Sequence, residues 1–126
     1  MIQTVTIDRT AAKPEFGTST QRMVPWLGQT DEPPFGQMAV FLDPGAQTAP
    51  DCHNQDELVV VLSGRAEVRM DGESVPVSAG EMAFLPRNHT HVVANPADEE
   101  LVWISIYWPL REPAITGEPG EEQHGA

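Results

Sequence analysis

An all-β fold is predicted by three observations. Twelve prolines and ten glycines fall between short apolar runs, which cuts the chain into pieces of strand length. No stretch sustains helical periodicity; residues 11–30 are interrupted by Pro14, Gly17, Pro25 and Gly28. The pieces amount to about eight or nine strands, and in so short a chain that favours a closed barrel or jelly roll over an open sheet.

Taken in order, residues 2–7 (IQTVTI) alternate well enough for a first strand, at an edge or exchanged between two copies. Residues 23–34 (MVPWLGQTDEPP) read as an irregular arm anchored by Trp26 and Leu27. Residues 36–42 (GQMAVFL) form a strand closed by the turn Asp43–Pro44–Gly45. Residues 57–62 (ELVVVL) are apolar on both faces, as in a fully buried strand, and Ser63–Gly64 ends it. Arg65, Glu67 and Arg69 then alternate with Ala66, Val68 and Met70, a half-exposed strand. Asp71–Gly72 supplies a tight hairpin turn into the strand 74–77. Strands follow at 81–85, stopped by Pro86, at 90–94 (THVVA), and at 101–108 (LVWISIYW) after an acidic turn. Three stretches result: an N-terminal strand and arm over 1–35, packing on the barrel or on a second copy; a barrel over 36–108; and an acidic tail over 109–126. The tail is too poor in apolar residues to offset its ordering entropy and is expected to be mobile beyond about Thr116.

The chain has 126 residues, 40% of them hydrophobic and 21% charged, enough for one domain with a real core. A net charge of −12 argues against nucleic acid or an anionic membrane as partner, since both are polyanions. One cysteine, Cys52, cannot close an internal disulfide, and the start of the chain lacks the basic and apolar regions of a secretory signal. No apolar run approaches the roughly 20 residues that span a bilayer. These features point to a cytoplasmic protein.

Chemistry concentrates in residues 45–64, GAQTAPDCHNQDELVVVLSG. Asp51, His53 and Glu57 occupy odd positions, so an extended backbone aims all three at one face. Two carboxylates and an imidazole are costly to bury without a neutralising cation, and a divalent metal is the simplest one. His91, early in THVVAN and next to a proline-led loop, is the fourth candidate ligand. Two imidazoles and two carboxylates suit Fe, Zn, Mn, Ni or Co as a divalent ion. His89 shares its parity with His91 but lies in the polar loop and should face solvent. Cys52 has the opposite parity to the ligands and reads as a small packed residue. Gln55 has ligand-side parity, as a binder of substrate or water or as an exposed turn residue. Phe41, Phe84, Trp103, Tyr107 and Trp108 read as core.

The spacing Gly45-x5-Asp51-x-His53-x3-Glu57-x6-Gly64 resembles the first motif of the cupin superfamily, and Gly80-x5-Pro86-x-Asn88-x2-His91-x3-Asn95 resembles its second. The 15 residues between them, Arg65 to Ala79, are close to the shortest that cupins carry. The likeness covers residues 36–108 and implies a cupin-type β-barrel (double-stranded β-helix, or jelly roll) and a homodimer, often through an exchanged N-terminal strand. Two departures stand out. Asp51 replaces the family's first metal histidine, and Asn88 replaces a glycine, a change that a residue tolerant of left-handed angles absorbs.

The resemblance implies a metal-dependent enzyme acting on a small organic acid or carbonyl substrate, with one divalent transition metal held by Asp51, His53, Glu57 and His91. A metal with two open positions chelates a dicarbonyl or oxo acid and stabilises its enolate while a nearby base, Asp51 or Glu57, moves a proton. That is isomerase, epimerase, cyclase or lyase chemistry, as in natural-product tailoring cupins. The alternatives are an Fe(II)-dependent dioxygenase and a small-molecule-binding cupin without catalysis.

Overall fold

A computed structural model describes residues 2, 4–23 and 33–113. Nine strands follow one short 3-10 turn: β1 (Lys13–Glu15), β2 (Thr18–Arg22), β3 (Gly36–Leu42), β4 (Asp56–Ser63), β5 (Arg65–Met70), β6 (Glu73–Ser78), β7 (Met82–Leu85), β8 (His91–Ala94) and β9 (Leu101–Trp108). They build a six-stranded sheet in the order β1-β2-β3-β9-β4-β7 and a three-stranded sheet in the order β6-β5-β8, with every named pairing antiparallel. The all-β jelly roll expected from the sequence is the fold observed.

The two sheets enclose the main core: Val40, Leu42, Val59, Val61, Leu101 and Trp103 from the larger sheet meet Ala66, Val68, Val77 and Val93 from the smaller. On the outer side of the larger sheet, Ala39, Phe41 and Ile104 pack with Met23 in a second cluster. Strand β4 differs from the fully buried strand expected. Its even-numbered face is half open, with Leu62 45% exposed, because nothing among the described residues covers the outer face at that end. Phe84 is 54% exposed for the same reason, stacked on Trp108 rather than buried, whereas Phe41 and Trp103 are core as expected.

Asp71–Gly72 makes the anticipated two-residue hairpin, with positive φ at both positions. Asn88 has φ 65°, so it does occupy the left-handed conformation that its glycine-like place in the loop requires. Gly64 is needed twice over: its φ is +86°, and a Cβ there would lie 3.0 Å from the carbonyl oxygen of Glu100.

The N-terminal third departs most from expectation. Ile2 and Thr4–Ile7 lie in no strand, and Ile2, Val5 and Ile7 are exposed. The Gln21 side chain, not a neighbouring ladder, takes up their backbone, with Gln21 Nε2 donating to the Thr6 carbonyl and Gln21 Oε1 accepting from the Asp8 N–H. The first strands are instead β1 and β2, a hairpin between the strand expected at 2–7 and the arm expected at 23–34, where the sequence suggested no element, and it pairs through β2 onto β3. Its two-residue turn, Phe16–Gly17, has positive φ at both residues, and a phenylalanine in that position hides the turn from a reading based on Asn, Asp and Gly. The Trp26–Leu27 anchor and the tail beyond residue 113 lie outside the described residues. The first residues after β9 are fastened: Gln55 Nε2 donates to the carbonyls of Pro109 and Leu110, and Leu110 N–H donates to the Pro34 carbonyl. No described helix is long and apolar enough to cross a membrane.

Candidate metal centre

Each residue of the site is held by a different local device. Glu57 is the second residue of β4, between Leu85 of β7 and Tyr107 of β9, and ladders on both sides set its inward direction. His91 opens β8. The preceding segment runs alongside it, where the Asp51 N–H donates to the His91 carbonyl and the His91 N–H donates to the Asp51 carbonyl. This bridge sets Asp51 next to His91, although residues 52–55 belong to no strand and the chain bends at Asn54–Gln55. His53 lies in that irregular segment, and its carbonyl accepts from the Asn88 N–H at 2.8 Å, which ties the two loops together.

All four side chains converge. His53 Nε2 lies 3.2 Å from Glu57 Oε1 and 3.7 Å from Asp51 Oδ2, and His91 Nε2 lies 3.7 Å from the same Glu57 oxygen. Ligand atoms of Asp51, His53 and His91 all fall within 4.8 Å of one another. The imidazoles meet edge to face with centroids 5.5 Å apart. His53, Glu57 and His91 are 6–9% exposed as side chains and Asp51 19%. His91 Nδ1 faces the His89 carbonyl at 3.2 Å, so its N–H is spent there and the Nε2 lone pair is directed at the cluster. His53 Nδ1 is buried without a partner among the described residues.

The electrostatics follow from crowding. Burial pushes the Asp51 carboxyl up, and the neighbouring Glu57 adds to this, against the opposite pull of His53 and His91. Burial disfavours the charged form of His53, but the hydrogen bond to Glu57 and the charges of Glu57 and Asp51 outweigh it, and His53 titrates above its ordinary range. Two carboxylates and two imidazole nitrogens, with no Lys or Arg among them, form a donor set that fits a divalent transition ion. An uncompensated buried charge costs several kcal/mol in such a place.

The remaining expectations sort clearly. His89 is exposed and faces Asp71 Oδ2 at 2.8 Å, away from the cluster. Cys52 is half-buried and belongs to none of these contacts. Gln55 is not an exposed turn residue; it is 9% exposed, its Nε2 is committed to the chain after β9, and the residue lines the cavity beside the cluster.

Two cavities adjoin the cluster. The inner one, about 50 Å³, is lined by Thr18, Thr20, Val40, Val93, Trp103 and Ser105, with Asp51, Glu57 and His91 at its edge. The outer one, about 260 Å³, is lined by Asp51, His53, Gln55 and Glu57 together with Arg22, Met38 and Tyr107. Arg22 and Tyr107 escape the motif reading. Arg22 shares the parity of Thr18 and Thr20, whose burial in β2 marks an inward face, and that alternation within TSTQR is the signal that would have found it.

Comparison with known proteins agrees with this geometry. The family profile described as Cupin domain matches residues 38–107. The chain belongs to the cupin family. A Cupin 2 conserved barrel domain protein from Salinispora arenicola superposes with TM-score 0.77 at 28% identity, over 86% of this chain and 89% of that one. The plu4264 protein from Photorhabdus luminescens does so with the same score and identity, over 86% and 88%. In sequence, the chain is 32% identical over 71 residues to polyketide synthase CurC of Streptomyces cyaneus, a match spanning 56% of this chain and 46% of that protein. The chain therefore matches about half the length of that relative.

Proposed function

We propose that this cupin is a metal-dependent enzyme that moves a proton on an enolisable carbonyl compound, in isomerase, epimerase, cyclase or lyase chemistry. The observation that carries the reading is the convergence of Asp51, His53, Glu57 and His91 beside a cavity large enough for a small substrate. Asp51, His53, Glu57 and His91 would hold the ion. When bound, the ion supplies a Lewis acid that draws electron density from a carbonyl oxygen and makes the adjacent C–H more acidic.

The rest is the work of the chain's own side chains. The Glu57 carboxylate, fixed between two ladders, sets one oxygen 3.2 Å from His53 Nε2, a separation at which both atoms can face the same ion. Asp51 is the most exposed of the four, so a substrate proton reaches it most readily. A carboxylate at that position can take a proton from carbon and return it to the product. The inner cavity, walled by Val40, Val93 and Trp103, keeps bulk water from one side of the cluster. The partial likeness to a polyketide synthase component supports a polycarbonyl substrate in natural-product biosynthesis.

The test is deuterium incorporation into the α-position of methyl acetoacetate in D2O under nitrogen, followed by NMR. Metal-loaded protein should accelerate it over a protein-free control, and Asp51→Asn should slow it. Oxygen consumption with no anaerobic exchange would make the protein a dioxygenase instead. Failure to take up any metal, with no exchange, would leave a binding protein.

A further inference from the structure

Among the described residues, Arg22 is the only Lys or Arg lining the outer cavity, which Asp51, His53 and Glu57 also line. Its guanidinium is pinned from two strands: Nη2 donates to Glu15 Oε2 at 2.7 Å, and Nη1 donates to the Tyr107 hydroxyl at 3.0 Å. Glu15 is itself held, since its Oε1 accepts from the Thr20 hydroxyl at 2.7 Å. A guanidinium has five N–H donors; Nη1 also reaches Met38 Sδ at 3.8 Å, so the Nε–H and one Nη2–H are left without a bond among the described residues. Tyr107 is placed with equal care. A Cβ on Gly36, its partner across the β3–β9 ladder, would fall 2.2 Å from the Tyr107 ring, so the ring lies over β3 in space that only glycine leaves free.

The cavity lining is rich in negative charge, and an anionic ligand entering it meets Asp51, Glu57 and Glu112. Among the described lining residues Arg22, itself paired with Glu15, is the one cation that offsets that repulsion. A planar fork with spare donors matches a carboxylate, and a neighbouring phenol adds another donor. We propose that Arg22 and Tyr107 form a carboxylate-binding subsite, which makes the substrate a small oxo acid whose acid group rests on this pair while its carbonyl faces the His53–Glu57 side. This rests on the enolisable-carbonyl reading above and narrows it from carbonyl compounds in general to anionic ones. Arg22 and Tyr107 are thus specificity and positioning residues, made from strands β2 and β9.

Acetoacetate and its methyl ester test this, because they share the ketone and its carbon skeleton and differ in whether the terminal group is a charged carboxylate or a neutral ester. Dissociation constants are measured by saturation-transfer NMR on Zn(II)-loaded protein, with zinc content determined on the same samples. Wild type should bind the acid about tenfold more tightly than the ester, the scale of one charge-assisted hydrogen-bonded contact. Arg22→Gln should remove that preference while leaving ester affinity and zinc content unchanged. Tyr107→Phe should reduce it in part. Arg22→Lys, which keeps the charge and loses the fork, should fall between wild type and Arg22→Gln, and it serves should the glutamine variant not fold. Equal affinities for acid and ester in wild type, absence of binding by either, or a preference that survives in Arg22→Gln would overturn the subsite. Ester exchange activity persisting beside any of these results would leave the proposed reaction standing, whereas loss of exchange with the acid preference intact would remove the reaction and keep the subsite.

Discussion

The two walls of the outer cavity are built by opposite means. Asp51, His53 and Glu57 come from one short stretch, and His91 joins them through a β-bridge to Asp51. Arg22 and Tyr107 lie 85 residues apart and meet only because β2, β3 and β9 are neighbours in one sheet. The acidic and imidazole wall is thus dictated by local spacing, and the cationic wall by topology. The contrast teaches that one cavity joins residues of local and of long-range origin, and the two groups meet where Glu57 pairs with Tyr107 across the β4–β9 ladder.

The largest effects should come from the local wall. His53→Ala and His91→Ala should each abolish metal uptake, measured as metal per chain after incubation with Fe(II), Mn(II), Ni(II) or Zn(II). Either variant retaining a full equivalent would show that its imidazole is not a ligand. On the other wall, Gly36→Ala should drive Tyr107 off β3 at a cost of about 1–3 kcal/mol in chemical denaturation, with metal uptake preserved. If uptake falls in step with stability, the two walls are coupled.

Acidity should act on the local wall alone. Because His53 is raised by its carboxylate neighbours, proton and metal compete for it beginning above pH 6.5. Metal affinity should decline as pH falls through that region. In the metal-free protein the sign reverses: the raised folded-state value means that protonated His53 stabilises the fold at lower pH, and this contribution is lost as pH rises through the folded value. Opposite pH trends in metal affinity and apo stability would sharpen the contrast, and parallel trends would argue against it. The smallest effect should be that of Cys52→Ser, whose side chain takes no part in the cluster. Metal content should stay near wild type.

How far the sequence reaches follows the same division. The strands from Gly36 to Trp108 were legible because their alternation and turns are local, and the paired motifs named both imidazoles and both carboxylates before any coordinates. Asn88 was legible as a left-handed residue. The β1–β2 hairpin was not, since Phe16 sits where a small or polar turn residue would have signalled it. Of the two readings of Gln55, the exposed turn fails, since the residue is 9% exposed, while the ligand-side parity is consistent with its place in the lining of the outer cavity. Tyr107 read as core because nothing local shows that Gly36 lies beneath it.

The claim on which the rest depends is that Asp51, His53, Glu57 and His91 hold one divalent ion. Elemental analysis of purified wild-type protein tests it most directly. About one transition metal per chain, absent from His53→Ala prepared in parallel, is the predicted result. No metal in wild type, and none gained after incubation with Fe(II), Mn(II), Ni(II) or Zn(II), would contradict it.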